Sequence, residues 1–160
     1  LFIILGDEKA MKFLNDLKAN GVKIVSSNSE VRRLVARGEV KVGITDTDDA
    51  SVSIKEGNPV KVIFPDQTSI GTLIMPNMVC LIKNSPNQEN GKRLIDYLLS
   101  AEVEKSLAWA ACAQMPLRYD VRTPADVLTI DAVKGMNVNY HDVAKKLEEI
   151  GEFLKQWAGY

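Results

Sequence analysis

Three short apolar runs, "VKIVS" (22–26), "VKVGI" (40–44) and "VKVIF" (60–64), are separated from one another by segments with helical spacing and capping residues. Each run has the length and β-branched content of a buried strand. Ala10, Phe13, Leu14 and Leu17 recur at helical spacing before the first run, with Asp7 placed to cap and Gly21 to stop a helix over 7–20. Between the first two runs, Ser27 and Glu30 stand at capping-box spacing and Gly38 ends the pattern. A short helix over 49–56, stopped by Gly57, precedes the third run. Strands alternating with helices predict an α/β layered fold.

Further on, "TLIMPNMVCLIK" (72–83) reads as a bent or edge strand because Pro76 cannot donate to a ladder. Two helices are predicted over 87–99 and 101–112, with Ser100 capping the second, and then a proline-punctuated connection over 115–130. A closing helix over 140–157 carries Val143, Leu147, Ile150, Leu154 and Trp157 in one stripe. A stripe of this length is expected to pack on its own domain rather than form a coiled coil.

Twenty Lys and Arg against twenty-one Asp and Glu leave a formal charge of −1, so no long-range field points to nucleic acid or an anionic membrane. Cys80 and Cys112 lie in apolar contexts without metal-site spacing and are expected as buried free thiols or a disulfide. The single histidine, His141, has no serine or cysteine motif beside it, and a surface or capping role is expected. No cofactor motif is present.

The densest chemical signal is "KVGITDTDDA" (41–50), which places Asp46, Asp48 and Asp49 at the end of a predicted strand. Their mutual repulsion requires a counter-charge or a raised pKa. They could hold a hard metal ion, grip an amine, or cap the following helix. The motif Asp46-Thr47-Asp48 also matches the opening of haloacid-dehalogenase-type phosphatases, although the further acidic pair that such a site needs is not evident.

"GEVKVGITDTDDA", "EGNPVKVIFPDQ", "GTLIMPNMVCLIKNSPNQENGKRLIDYLLSAEVEKSLA" and "AQMPLR", in that order, resemble the C-terminal half of bacterial extracellular solute-binding proteins of ABC importers, in the ferric-iron-binding branch. The resemblance implies a type II periplasmic-binding-protein-like two-lobed α/β clamp, of which this chain is the C-terminal portion. Residues 1–66 and 117–160 would belong to the second lobe and 71–115 to the first, with hinge segments near 65–72 and 113–118. Opening within the apolar stretch "LFIIL", the chain is expected to lack most of the first lobe and any leader, and the surface so exposed could drive homodimer formation.

In the iron-binding branch, positions equivalent to Asp48 and Asp49 carry ferric-binding tyrosines, and the position of Asp46 carries an anion-contacting asparagine. Asn28, flanked by Ser27 and Ser29, matches another anion-contacting asparagine at a helix start. The resemblance therefore implies ligand contact at Ser27, Asn28, Ser29, Asp46, Asp48 and Asp49. Because aspartates replace the tyrosines and would repel an anion, the expected ligand is a cation: a metal ion on Asp48 and Asp49, or an amine. Implied with it are no catalysis, delivery to a membrane permease, and a periplasmic or extracellular place with or without a lipid anchor. A ligand-sensing domain of a regulator would use the same fold.

Overall fold

The computed structural model describes residues 1–160. Seven α-helices form: α1 (Phe2–Leu5), α2 (Asp7–Ala19), α3 (Asn28–Ala36), α4 (Thr47–Lys55), α5 (Gln88–Leu98), α6 (Ala101–Trp109) and α7 (Tyr140–Ala158), with one 3₁₀ turn at Ile130–Ala132. They belong to two compact units, Leu1–Ser26 with Asn137–Tyr160, and Ser27–Met136. The lobes expected from the sequence divide the chain differently. Within the second unit, Lys55 Nζ donates to the Ala110 carbonyl at 2.9 Å, between segments assigned to different lobes.

In the first unit, α7 packs on α1 and α2. Phe2 meets Phe153 edge-on with ring centroids 6.2 Å apart, Trp157 Nε1 donates to the Leu14 carbonyl at 3.0 Å, and Lys146 reaches Asp7 at 3.1 Å. Of the stripe expected of the closing helix, Trp157 is engaged within its own unit, whereas Leu147 stays exposed. The backbone of α7 is capped by Asn139, whose Oδ1 accepts from the His141 N–H at 2.9 Å; His141 itself is exposed and is not the cap.

The second unit contains α3 to α6. Ser27 and Ser100 cap α3 and α6 as expected, their hydroxyls accepting from Glu30 and Val103 N–H. Gly43 marks where the segment before the aspartates runs against α3. A Cβ there would overlap Val31 Cγ1 and lie 2.9 Å from Val35 Cγ2. Gly43→Ala is therefore expected to lower stability by about 1–3 kcal/mol through overpacking, measured as a lower urea midpoint.

The expected strands are the main correction. Residues 22–26, 40–45, 60–64 and 73–83 make no ladder, and the sole pairing is an isolated parallel bridge between Thr72 and Gly135. A strand is defined by its neighbour's hydrogen bonds, and none of these runs is paired with a neighbouring strand. Val42 and Ile44 face outward, 83% and 84% exposed, while Val40, Val62 and Phe64 are half-buried. Cys80, on the unpaired 73–83 segment, is exposed rather than buried, and both thiols are free. Two helices also end differently. α4 begins at Thr47, two residues earlier than its spacing suggests, and α6 stops at Trp109, where Ala110 turns extended.

Candidate functional site

α3 and α4 both begin beside the aspartate cluster. The early start of α4 makes Asp46 its N-cap residue and places Asp48 and Asp49 in its first turn, where carboxylates interact well with the exposed N–H groups and the dipole. Asn28, the first residue of α3, donates from Nδ2 to Asp46 Oδ2. Its carbonyl accepts from Thr45 Oγ1 at 3.4 Å. Ser29 Oγ donates to Asp49 Oδ2 at 3.3 Å. Five of the six residues singled out in the sequence, Asn28, Ser29, Asp46, Asp48 and Asp49, therefore meet at one rim. The hydroxyl of Ser27 is committed to its cap at 3.2 Å from the Glu30 N–H.

The three carboxylates do not act alike. Asp49 turns to Arg32, whose Nε lies 3.4 Å from Asp49 Oδ1, and Arg32 Nη1 also donates to both Glu56 oxygens at 3.2 Å. Arg32 is largely buried, and this Nε makes no hydrogen bond of good geometry, so the pairing with Asp49 is one of charge. Arg32 is the residue that the sequence reading missed. Its signal was its spacing: four residues beyond Asn28, it lies on the same helix face.

Asp46 and Asp48 form a hydrogen-bonded carboxyl pair. Partial burial pushes the Asp48 carboxyl above the ordinary aspartate range, and the hydrogen bond to Asp46 and its negative charge push it the same way. Burial acts on Asp46 in the same direction, but there hydrogen bonds from Asp48 and Asn28, with the nearby N–H groups of Asp49 and Asp46, outweigh it and hold the carboxyl below that range. The repulsion implicit in the sequence is thus relieved in two ways: Arg32 offsets Asp49, and hydrogen bonds from Asn28 and nearby N–H groups favour the charged form of Asp46, while Asp48 is left with a raised carboxyl pKa. The cluster stands beside the first turns of two helices, with Asp46 exposed and Asp48 and Asp49 half-buried.

No group of three or more His, Cys, Asp or Glu side chains is arranged to hold a metal ion. The metal cage expected on Asp48 and Asp49 is not formed, because Asp49 points to Arg32 while Asp48 is turned to Asp46. The phosphatase alternative loses its footing for the same reason, since Asp46 is held by Asn28 and Asp48 instead of being free as a nucleophile.

This chain belongs to the family of bacterial extracellular solute-binding proteins, whose model matches residues 5–134. It is 30% identical over 151 residues to a putative 2-aminoethylphosphonate-binding periplasmic protein of Salmonella typhi, covering 88% of this chain and 43% of that protein. A protein of the same description from Salmonella typhimurium is 32% identical over 146 residues, which is 84% of this chain and 42% of that one. An uncharacterized protein of Haemophilus influenzae is 26% identical over 135 residues, 84% of this chain and 38% of its own length. The chain thus spans less than half the length of the relatives it matches. No solved structure matches it. The Salmonella relatives are named for an aminophosphonate, so the expected iron-binding branch has no support among them.

Proposed function

We propose that this chain forms part of the binding cleft of a non-catalytic solute-binding component of an ABC importer, and that its ligand carries a protonated amine held by Asp46 and Asp48. The observation that carries this reading is the carboxyl pair fixed by Asn28 at the junction of α3 and α4. An ammonium group beside both carboxylates would offset the repulsion that helps to hold Asp48 above the ordinary range. Close by, the first-turn N–H groups of α3 suit an anionic group on the same molecule. A short zwitterion with an amine at one end and a phosphonate at the other meets both demands, and the names of the Salmonella relatives support 2-aminoethylphosphonate as the probe.

In this reading the clamp has the lobes and hinges expected from the sequence, and residues 22–26, 40–45, 60–64 and 73–83 serve as sheet strands in the complete clamp. The exposed, alternating Val42 and Ile44 support that role, since residues two apart share one face of a strand. Capture would proceed by closure of the lobes on the ligand, followed by delivery to a membrane permease from the periplasmic side. No helix of the chain is long and apolar enough to cross a membrane.

Calorimetric titration distinguishes the ligand classes. 2-Aminoethylphosphonate is expected to bind, with ethylphosphonate and ethanolamine each weaker by at least about tenfold, because each lacks one charged end. Equal binding of ethylphosphonate would remove the role given to Asp46 and Asp48. Preferential binding of ferric citrate would return the site to the metal-ion class.

A further inference from the structure

The one β-bridge in this chain lies at the first hinge position expected from the sequence, and a side chain closes it. Residues 65–72 form a tight loop. Asp66 adopts a left-handed backbone (φ 57°), its carbonyl accepts from Ser69 and Gly71 N–H at 2.9 Å, and Thr72 Oγ1 donates to the Pro65 carbonyl at 2.7 Å. The loop then meets residues 134–136: Thr72 N–H donates to the Lys134 carbonyl at 2.9 Å and Met136 N–H to the Thr72 carbonyl at 2.8 Å. Gln67 reaches across. Its Oε1 accepts from Lys134 N–H at 2.8 Å, while Nε2 donates to Lys134 O at 3.2 Å and to Thr72 Oγ1 at 2.9 Å.

The Gln67 amide therefore occupies the position of a missing strand neighbour. It satisfies the Lys134 N–H, which the bridge leaves unpaired, and ties the loop closure and the bridge into one network. A two-bond bridge alone is marginal in water, and the amide turns it into a fixed joint.

We propose that Gln67 is the lock of this joint and that it fixes the base of the 73–83 segment, so that closure of the clamp turns about a defined point instead of a slack linker. As a device for closure this rests on the solute-capture reading; as a lock it does not. Gln67 is a positioning residue, remote in sequence from the aspartates, and its effect on binding would come through the cost of ordering a loosened hinge.

The test reads hydrogen exchange at the Thr72, Lys134 and Met136 amides in the wild type, Gln67→Ala and Gln67→Glu. Gln67→Ala is expected to speed exchange at all three by about tenfold, with the amides of α3 and α7 unchanged, which separates unlocking from unfolding. Gln67→Glu keeps the acceptor but loses the donor, and should recover slow exchange at Lys134 alone. Wild-type exchange at all three amides in Gln67→Ala overturns the lock. Titration with 2-aminoethylphosphonate is then expected to show affinity reduced several-fold by Gln67→Ala through faster dissociation. Faster exchange with unaltered affinity would overturn the link to closure while the lock stands. If the wild type fails to bind this probe, the capture reading falls and with it the link to closure, and the exchange data still decide the lock.

Discussion

Asp46→Asn is expected to weaken 2-aminoethylphosphonate binding by roughly 1–3 kcal/mol, or about five- to more than a hundredfold, because it removes a charged partner of the ligand amine with little change of shape. Among the three aspartates, this one should matter most. Its carboxyl is held below the ordinary range and so ionises before that of Asp48, whereas Asp49 is already engaged by Arg32. Asp48→Asn should act differently, since an Asn amide can donate to Asp46 much as the protonated Asp48 does.

The pH dependence follows from the same pair. Asp48 is raised, so in the empty site it keeps its proton to a higher pH than a free aspartate. An ammonium ligand must displace that proton, and affinity should therefore fall as pH drops through the raised Asp48 pKa. In Asp48→Asn this dependence should flatten. For the unliganded protein the two groups oppose each other. Asp46, with its lowered pKa, contributes stability above its unfolded value that is lost as pH falls through the folded one. Asp48, with its raised pKa, contributes stability below its unfolded value that is lost as pH rises through the folded one. Calorimetry across pH 4–7 on the wild type and both variants checks the affinities, and an Asp46→Asn profile identical to the wild type would show that the amine does not use this pair.

Helices and caps were legible in the sequence because their signals are local. Ser27 and Ser100 each sit directly before a periodic segment, and each accepts the N–H three residues on. The meeting of Asn28 with Asp46 was legible for a different reason: two predicted strand ends, each followed by a helix start, point to a common rim in an α/β arrangement. What could not be read was the division of labour among the aspartates. It depends on Arg32 reaching Asp49 from the next helix, a contact between residues seventeen apart in sequence that no local pattern records. The strands show the converse. Val42 and Ile44 lie in a run of strand-like composition, but a ladder is a property of two segments, and composition specifies only one of them. The bridge at Thr72 lay in a segment read as a hinge, and its partner, Gly135, lay beyond any strand signal.

Gly71→Val is expected to destabilise the Ser27–Met136 unit by about 3 kcal/mol or more, from two separate costs. Gly71 has a left-handed backbone (φ 85°), which costs a β-branched residue roughly 1–2 kcal/mol or more. In addition, a Cβ there would stand 2.7 Å from the Gly135 carbonyl oxygen and 2.8 Å from both Gly135 C and Lys134 O. These are backbone atoms that cannot swing aside, so relief requires parting Thr72 from Lys134 and Met136, at about 1–3 kcal/mol for the overpacking. Gly57→Val supplies the control. Gly57 has nearly the same backbone angle (φ 79°) and no atom within 4 Å of the added Cβ, so it should bear the conformational cost alone. Urea unfolding followed by circular dichroism measures both variants. A drop at Gly71 no larger than at Gly57 would mean that the joint parts freely, and that the close approach of residues 71 and 135 contributes nothing to holding the loop. A larger drop, with accelerated exchange at the Thr72 and Met136 amides, would place the excess at this contact, because the left-handed strain is common to both glycines and cancels in the comparison.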